Sequence, residues 1–123
     1  MRRPSLIKSI QHAWRGFGVA LKSERNFRLQ TLAALAALAC ALIFPLTKTE
    51  RLLVLVVTLA VLVLELLNTA VERLVDLMKP RLMDVAGEIK DVMAAAVLLA
   101  SVFAVAIGLY IFIPYILPLW RNL

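Results

Sequence analysis

Residues 52–64 form a run that is apolar apart from Thr58. It leads directly into Glu65-Leu66-Leu67-Asn68-Thr69-Ala70-Val71-Glu72-Arg73-Leu74-Val75-Asp76. The apolar run is long enough to lie in a bilayer, where backbone polar groups must be satisfied within the segment, so a helix is the form open to it. At 100° per residue, Glu65, Asn68, Glu72 and Asp76 fall at about 0°, 300°, 340° and 20° around that helix. Three carboxylates and one amide therefore share a narrow stripe. An acidic group inside a membrane costs roughly 2.5–3.5 kcal/mol on insertion scales, so such groups usually mark a function. A stripe of oxygens at a membrane surface suits Mg²⁺, a hard cation commonly held jointly by carboxylates and substrate phosphates.

The rest of the chain points to the same environment. Hydrophobic residues make up 63% of the 123 positions, too many for a soluble domain of this size. One small all-α membrane domain, residues 1–123, is expected. Residues 4–22 place Leu6, Ile7, Ile10, Ala13, Trp14, Phe17, Ala20 and Leu21 on one face, and Lys8, Gln11, His12, Arg15 and Lys22 on the other. That spacing predicts a basic amphipathic helix in the headgroup region, with Pro4 in its first turn. Gly16 and Gly18 weaken it locally and suggest a bend or a close approach. Transmembrane spans are expected at about 29–46, 52–71 and 92–113. Ala33/Ala37/Ala41 and Ala96/Ala100/Ala104/Gly108 give the first and third spans small-residue ridges suited to close helix packing. Pro45 opens the first loop, Lys79-Pro80-Arg81 closes the second helix, and Pro114 and Pro118 end or kink the third. Residues 81–91 read as a polar connection, with Asp84 a candidate N-cap and Glu88 a helix-start group. Glu50 beside Arg51 reads as a surface pair, and Tyr110, Tyr115 and Trp120 suit the far interface.

The net charge of +6 follows topology. The N-terminal segment and the second loop carry eleven Lys and Arg residues, against three in the first loop and the tail. The positive-inside bias puts the N-terminus and second loop in the cytoplasm, and the first loop and C-terminus outside. No nucleic-acid-binding motif is present, so nucleic acid is not an expected partner. Met1-Arg2-Arg3 resembles the start of a signal peptide, but no continuous apolar segment or cleavage pattern follows before the first span, so no processing is expected. Cys40, the lone cysteine, reads as a small packing residue and permits no intrachain disulfide.

Three charged elements then converge on the cytoplasmic side: Glu24 before the first span, the stripe at the end of the second, and Lys90-Asp91 at the start of the third. Phosphoryl transfer needs a bridging Mg²⁺, a proton acceptor for the attacking hydroxyl, and positive charge on the phosphates. Glu24 and Glu72 can hold metal and Lys90 can hold phosphate. Glu65, roughly 10 Å deeper than Glu72, lies at the level of a lipid hydroxyl and suits a general base. Blander readings also fit: a protonated Glu65 packed between helices, Asp76 paired with Arg73 or Lys79, and Glu24 paired with Arg25 or Arg28. No phosphate-binding glycine loop or soluble-kinase signature occurs, so a nucleotide site must be built differently.

Glu65-x-x-Asn68-Thr69-Ala70-Val71-Glu72-x-x-x-Asp76, with Lys90-Asp91-x-x-Ala94-Ala95-Ala96-Val97 and Lys22-Ser23-Glu24-Arg25-Asn26-Phe27-Arg28, resembles the prokaryotic integral-membrane diacylglycerol kinases, which include the undecaprenol kinases. The resemblance runs over nearly the whole chain. It implies three transmembrane helices, a bacterial inner-membrane location, a homotrimer with shared active sites, and MgATP-dependent phosphorylation of a lipid alcohol. It gives Glu65 the base role, Glu24 and Glu72 the Mg²⁺, Asn68 and Lys90 the phosphates, and Asp76 and Asp91 the nucleotide side. Glu24 of one chain would complete the metal site on a neighbour's stripe. Met83 and Ala95 depart from the family pattern, where histidine and glycine are frequent, and this bears on adenine contact. His12 falls near an aromatic position of some members and reads as an interfacial or packing residue. The rival functions are a small proton-coupled transporter using Glu65, which predicts one deep acid and four spans, and a non-catalytic membrane subunit, which has no need of Lys90-Asp91 opposite the stripe.

Overall fold

The computed structural model describes residues 5–81 and 83–122, with Met83 described by its backbone alone. Pro4 and the side chain of Met83 lie outside the described residues. Four helices follow one another: α1 (Leu6–Ser23), α2 (Arg25–Ile43), α3 (Lys48–Leu77) and α4 (Met83–Arg121). Among the described residues there is no strand. Helix α2, helix α3 and the stretch Asp84–Arg121 are each long and apolar enough to cross a membrane.

Helix α1 has the expected amphipathic character, and its apolar residues Leu6, Ile7, Ile10 and Trp14 stand exposed. Such a face is stable against lipid, not against water. Further along the same face the helix docks on the bundle through Ala20 and through Phe17, whose ring meets Phe27 edge-on at 5.2 Å. Phe27 is wholly buried. Gly16 and Gly18 do not interrupt the helix and admit no close neighbour: a Cβ added to either would meet nothing within 4 Å. A single extended residue, Glu24 (φ −108°, ψ 114°), separates α1 from α2. The corner is tied by Arg28, whose Nη1 donates to the carbonyls of Leu21 and Lys22, both at 3.0 Å. A cation is favourable against the unpaired carbonyls at a helix C-terminus.

Helix α2 stops at Ile43, three residues before the expected end of the first span, because Pro45 pushes Phe44 into an extended conformation (φ −78°, ψ 147°). Thr47 then starts α3 with a capping box. Its Oγ1 accepts from the Glu50 amide at 3.2 Å, and the Glu50 carboxylate accepts from the Thr47 amide at 2.8 Å. Glu50 also accepts from Tyr115 Oη of α4 at 2.8 Å, so its partners are a helix cap and a cross-helix hydroxyl and not Arg51. Around this latch Ala41, Leu46, Val54 and Ile111 form an apolar core with Phe44 and Phe112.

Helix α4 departs from expectation at both ends. It begins at Met83, so most of the expected polar connection is helical and Asp84 lies in the first turn, not at the cap. It continues through Pro114 and Pro118 to Arg121. Membrane helices tolerate proline where neighbouring groups re-satisfy the freed carbonyls. Helix α3 packs against both α2 and α4, and is the axis of the bundle. Helices α2 and α4 diverge around a cleft of about 650 Å³ floored by Thr58 and Val61. The expected small-residue ridges meet here: Ala33 and Ala37 line one wall, Ala104 and Gly108 the other. Within one chain these ridges border open space where close packing was expected.

Candidate active site

The stripe on α3 forms as its periodicity requires, and the other helices treat its members differently. Glu65 is the deepest and the most enclosed, at 3% exposure. Its carboxylate Oε2 accepts from Nε2 of Gln30 on α2 at 3.4 Å, and its backbone carbonyl accepts from Thr69 Oγ1 at 3.0 Å. One turn further along α3, Asn68 Nδ2 donates to Glu72 Oε1 at 3.1 Å, while Asn68 Oδ1 is buried without a partner among the described residues. Glu24 reaches the same region from the α1–α2 corner, and both Glu24 and Glu72 lie within coulombic range of Glu65. Ser23 Oγ donates to Glu24 Oε1 at 3.2 Å and accepts from Arg73 Nη2 of α3 at 2.7 Å, which ties the corner to the stripe.

A second group forms at the C-terminal end of α3. Asp76 Oδ1 is shared by Lys90 Nζ at 2.7 Å and Lys79 Nζ at 3.0 Å. Of its two expected partners, Lys79 pairs with it and Arg73 donates to Ser23 instead. Lys90 therefore rests on Asp76, within coulombic range of Glu72, at the mouth of the acidic group. Asp91 is exposed beside it. The structure thus joins Asn68 to Glu72 and Asp76 to Lys90, sets Glu65 against Gln30, ties Glu24 to the stripe's helix through Ser23 and Arg73, and leaves Asp91 exposed.

Among the described residues, no three His, Cys, Asp or Glu side chains gather closely enough to form a metal centre by themselves. The donors present are two carboxylates, Glu24 and Glu72, and the unpaired carbonyl oxygen of Asn68. All are hard oxygens, as Mg²⁺ demands, and one or two carboxylates are the usual protein share when phosphates supply the rest. Sequence reasoning did not find Gln30, Ser23 or Arg73. Gln30 carried the one available signal, an amide set just inside an apolar span.

A bundle of spans with a carboxylate buried inside it and charged groups at one end defines a multi-pass membrane protein with a polar site. Comparison with known proteins makes the class specific. The profile of the prokaryotic diacylglycerol kinases matches residues 11–112. The undecaprenol kinase of Bacillus subtilis (strain 168) is 38% identical over 108 residues, 88% of this chain and 88% of the relative. A diacylglycerol kinase of Synechocystis is 36% identical over 117 residues, 94% of this chain and 67% of the relative. The diacylglycerol kinase of Escherichia coli (strain K12) is 32% identical over 100 residues, 81% of this chain and 82% of the relative. The chain belongs to the prokaryotic diacylglycerol kinase family and is a membrane lipid kinase. The transporter reading of Glu65 is not favoured.

Proposed function

We propose that the enzyme transfers the γ-phosphate of MgATP to the primary hydroxyl of a membrane lipid alcohol at the cytoplasmic face. The acceptor is diacylglycerol, giving phosphatidic acid, or undecaprenol, giving undecaprenyl phosphate. The observation that carries this reading is the burial of Glu65 on the stripe of α3 that it shares with Asn68 and Glu72. A carboxylate at that depth meets a headgroup hydroxyl, whereas the acids above it meet the nucleotide.

In this reading Glu65 accepts the hydroxyl proton as the lipid oxygen attacks the γ-phosphorus and the bond to the β–γ bridging oxygen breaks, releasing ADP. Glu24 and Glu72 hold Mg²⁺, which when bound offsets the charge on the phosphate oxygens. Asn68 Nδ2 now donates to Glu72. Its amide carries a second N–H that can donate to a phosphate oxygen while the bond to Glu72 is kept. Lys90, with three donors, binds phosphate beside Asp76, and Asp76 and Asp91 border the nucleotide. The positive-inside bias places this face in the cytoplasm, where ATP is available.

Assembly belongs to the same proposal. The two small-residue ridges border an open cleft, and a homotrimer would cover such apolar walls. The deciding experiment is an assay of the purified protein with MgATP and each lipid in turn, with products separated by chromatography. Phosphorylation of neither lipid would overturn the reading, and the faster of the two names the substrate.

A further inference from the structure

We infer that Gln30 is a positioning residue for the proton-accepting carboxylate, holding one oxygen of Glu65 so that the other is presented to the lipid hydroxyl. The inference rests on the base role proposed for Glu65. Gln30 sits on α2, fewer than two turns beyond the corner that carries Glu24, where the helix has already become apolar. An amide there is costly unless it is hydrogen-bonded. Its Nε2 makes, among the described residues, the only hydrogen bond to the Glu65 side chain, across 35 positions of sequence. Its Oε1 is buried with no partner, so the amide is not placed there to satisfy itself.

A carboxylate terminal torsion is broad and nearly two-fold, so an untethered Glu65 would present either oxygen over a range of angles. Anchoring Oε2 leaves Oε1 as the free acceptor and narrows its direction. Gln30 also lines the end of the cleft between α2 and α4, so the tether is at the place where an apolar passage meets the base. The residue needs no contact with the nucleotide, and its effect should appear in turnover and not in ATP affinity.

The test uses the full-length enzyme in mixed lipid–detergent micelles, with kcat and the KM for ATP measured for Gln30→Met, Glu65→Gln and the double variant, and the product followed with labelled ATP. Methionine keeps the length and removes the donor. Gln30→Met is expected to lower kcat about tenfold or more, the effect of losing one hydrogen bond to a charged group, with the KM for ATP changed less than twofold. In the Glu65→Gln background the same substitution is expected to have no further effect on the residual rate, because it acts through a group already lost. A kcat within threefold of the parent for Gln30→Met, beside an inactive Glu65→Gln, overturns the inference and leaves the base role standing. An equal proportional loss in both backgrounds, accompanied by a lower melting temperature, reduces Gln30 to a clasp between α2 and α3 and also overturns it. Full activity of Glu65→Gln removes the base role itself, a different failure.

Discussion

Replacing Glu65 by glutamine separates chemistry from folding more cleanly than any other change in this chain. The carboxylate is 3% exposed and receives one hydrogen bond to its side chain, from Gln30 at 3.4 Å. An amide of the same shape still offers a carbonyl oxygen to that donor, so the α2–α3 contact survives. Burying a neutral amide also costs less than burying an ionised carboxylate. The melting temperature of Glu65→Gln should therefore equal or exceed that of the parent. Turnover should fall, because an amide cannot take up the hydroxyl proton. Loss of a positioned general base typically costs about 10²–10⁴-fold in rate, or about 2.7–5.4 kcal/mol of barrier at 1.36 kcal/mol per decade. Nucleotide binding should persist, since the groups assigned to ATP lie on the turns above. The assay is initial-rate phosphorylation with labelled ATP and each lipid, beside equilibrium nucleotide binding on the same preparation. Turnover within threefold of the parent would refute the base assignment, and loss of nucleotide binding would show that Glu65 belongs to the phosphate site.

Glu24→Gln and Glu72→Gln should each move the Mg²⁺ midpoint of activity upwards, as each removes a hard anionic donor; unchanged midpoints in both would remove them from the metal site. Lys90→Ala should raise the KM for ATP more than the KM for lipid, and the reverse pattern would move Lys90 to the lipid side. Thr47→Ala removes the side-chain cap of α3 and should cost about 1 kcal/mol of stability with kcat unchanged, as read by denaturation in micelles. With the shared site that the family resemblance implies, mixing Glu24→Gln with Glu65→Gln subunits should restore part of the activity; no recovery in demonstrated mixed oligomers would show that each chain carries its own site.

What could be read along the chain was whatever is periodic or local. The amphipathic pattern of α1, the three apolar spans, and the shared stripe of Glu65, Asn68, Glu72 and Asp76 all follow from 3.6 residues per turn and from the cost of exposing polar backbone to lipid. The stop of α2 before Pro45 was legible to within a turn for the same reason. Partnerships were not legible. Gln30 meets Glu65 across 35 positions, Arg73 meets Ser23 across 50, and Tyr115 meets Glu50 across 65. Nearest-neighbour reasoning offered Glu50 to Arg51, and packing gave it Tyr115; it offered Asp76 to Arg73 or Lys79, where Lys79 does pair and packing adds Lys90. The persistence of α4 through Pro114 and Pro118, and the cleft that separates two ridges suited to close contact, are likewise decisions of the bundle. A helix's faces are set by its own repeat, but which side chain on another helix arrives opposite depends on how far the helices slide, tilt and diverge, and those quantities exist only once the helices pack.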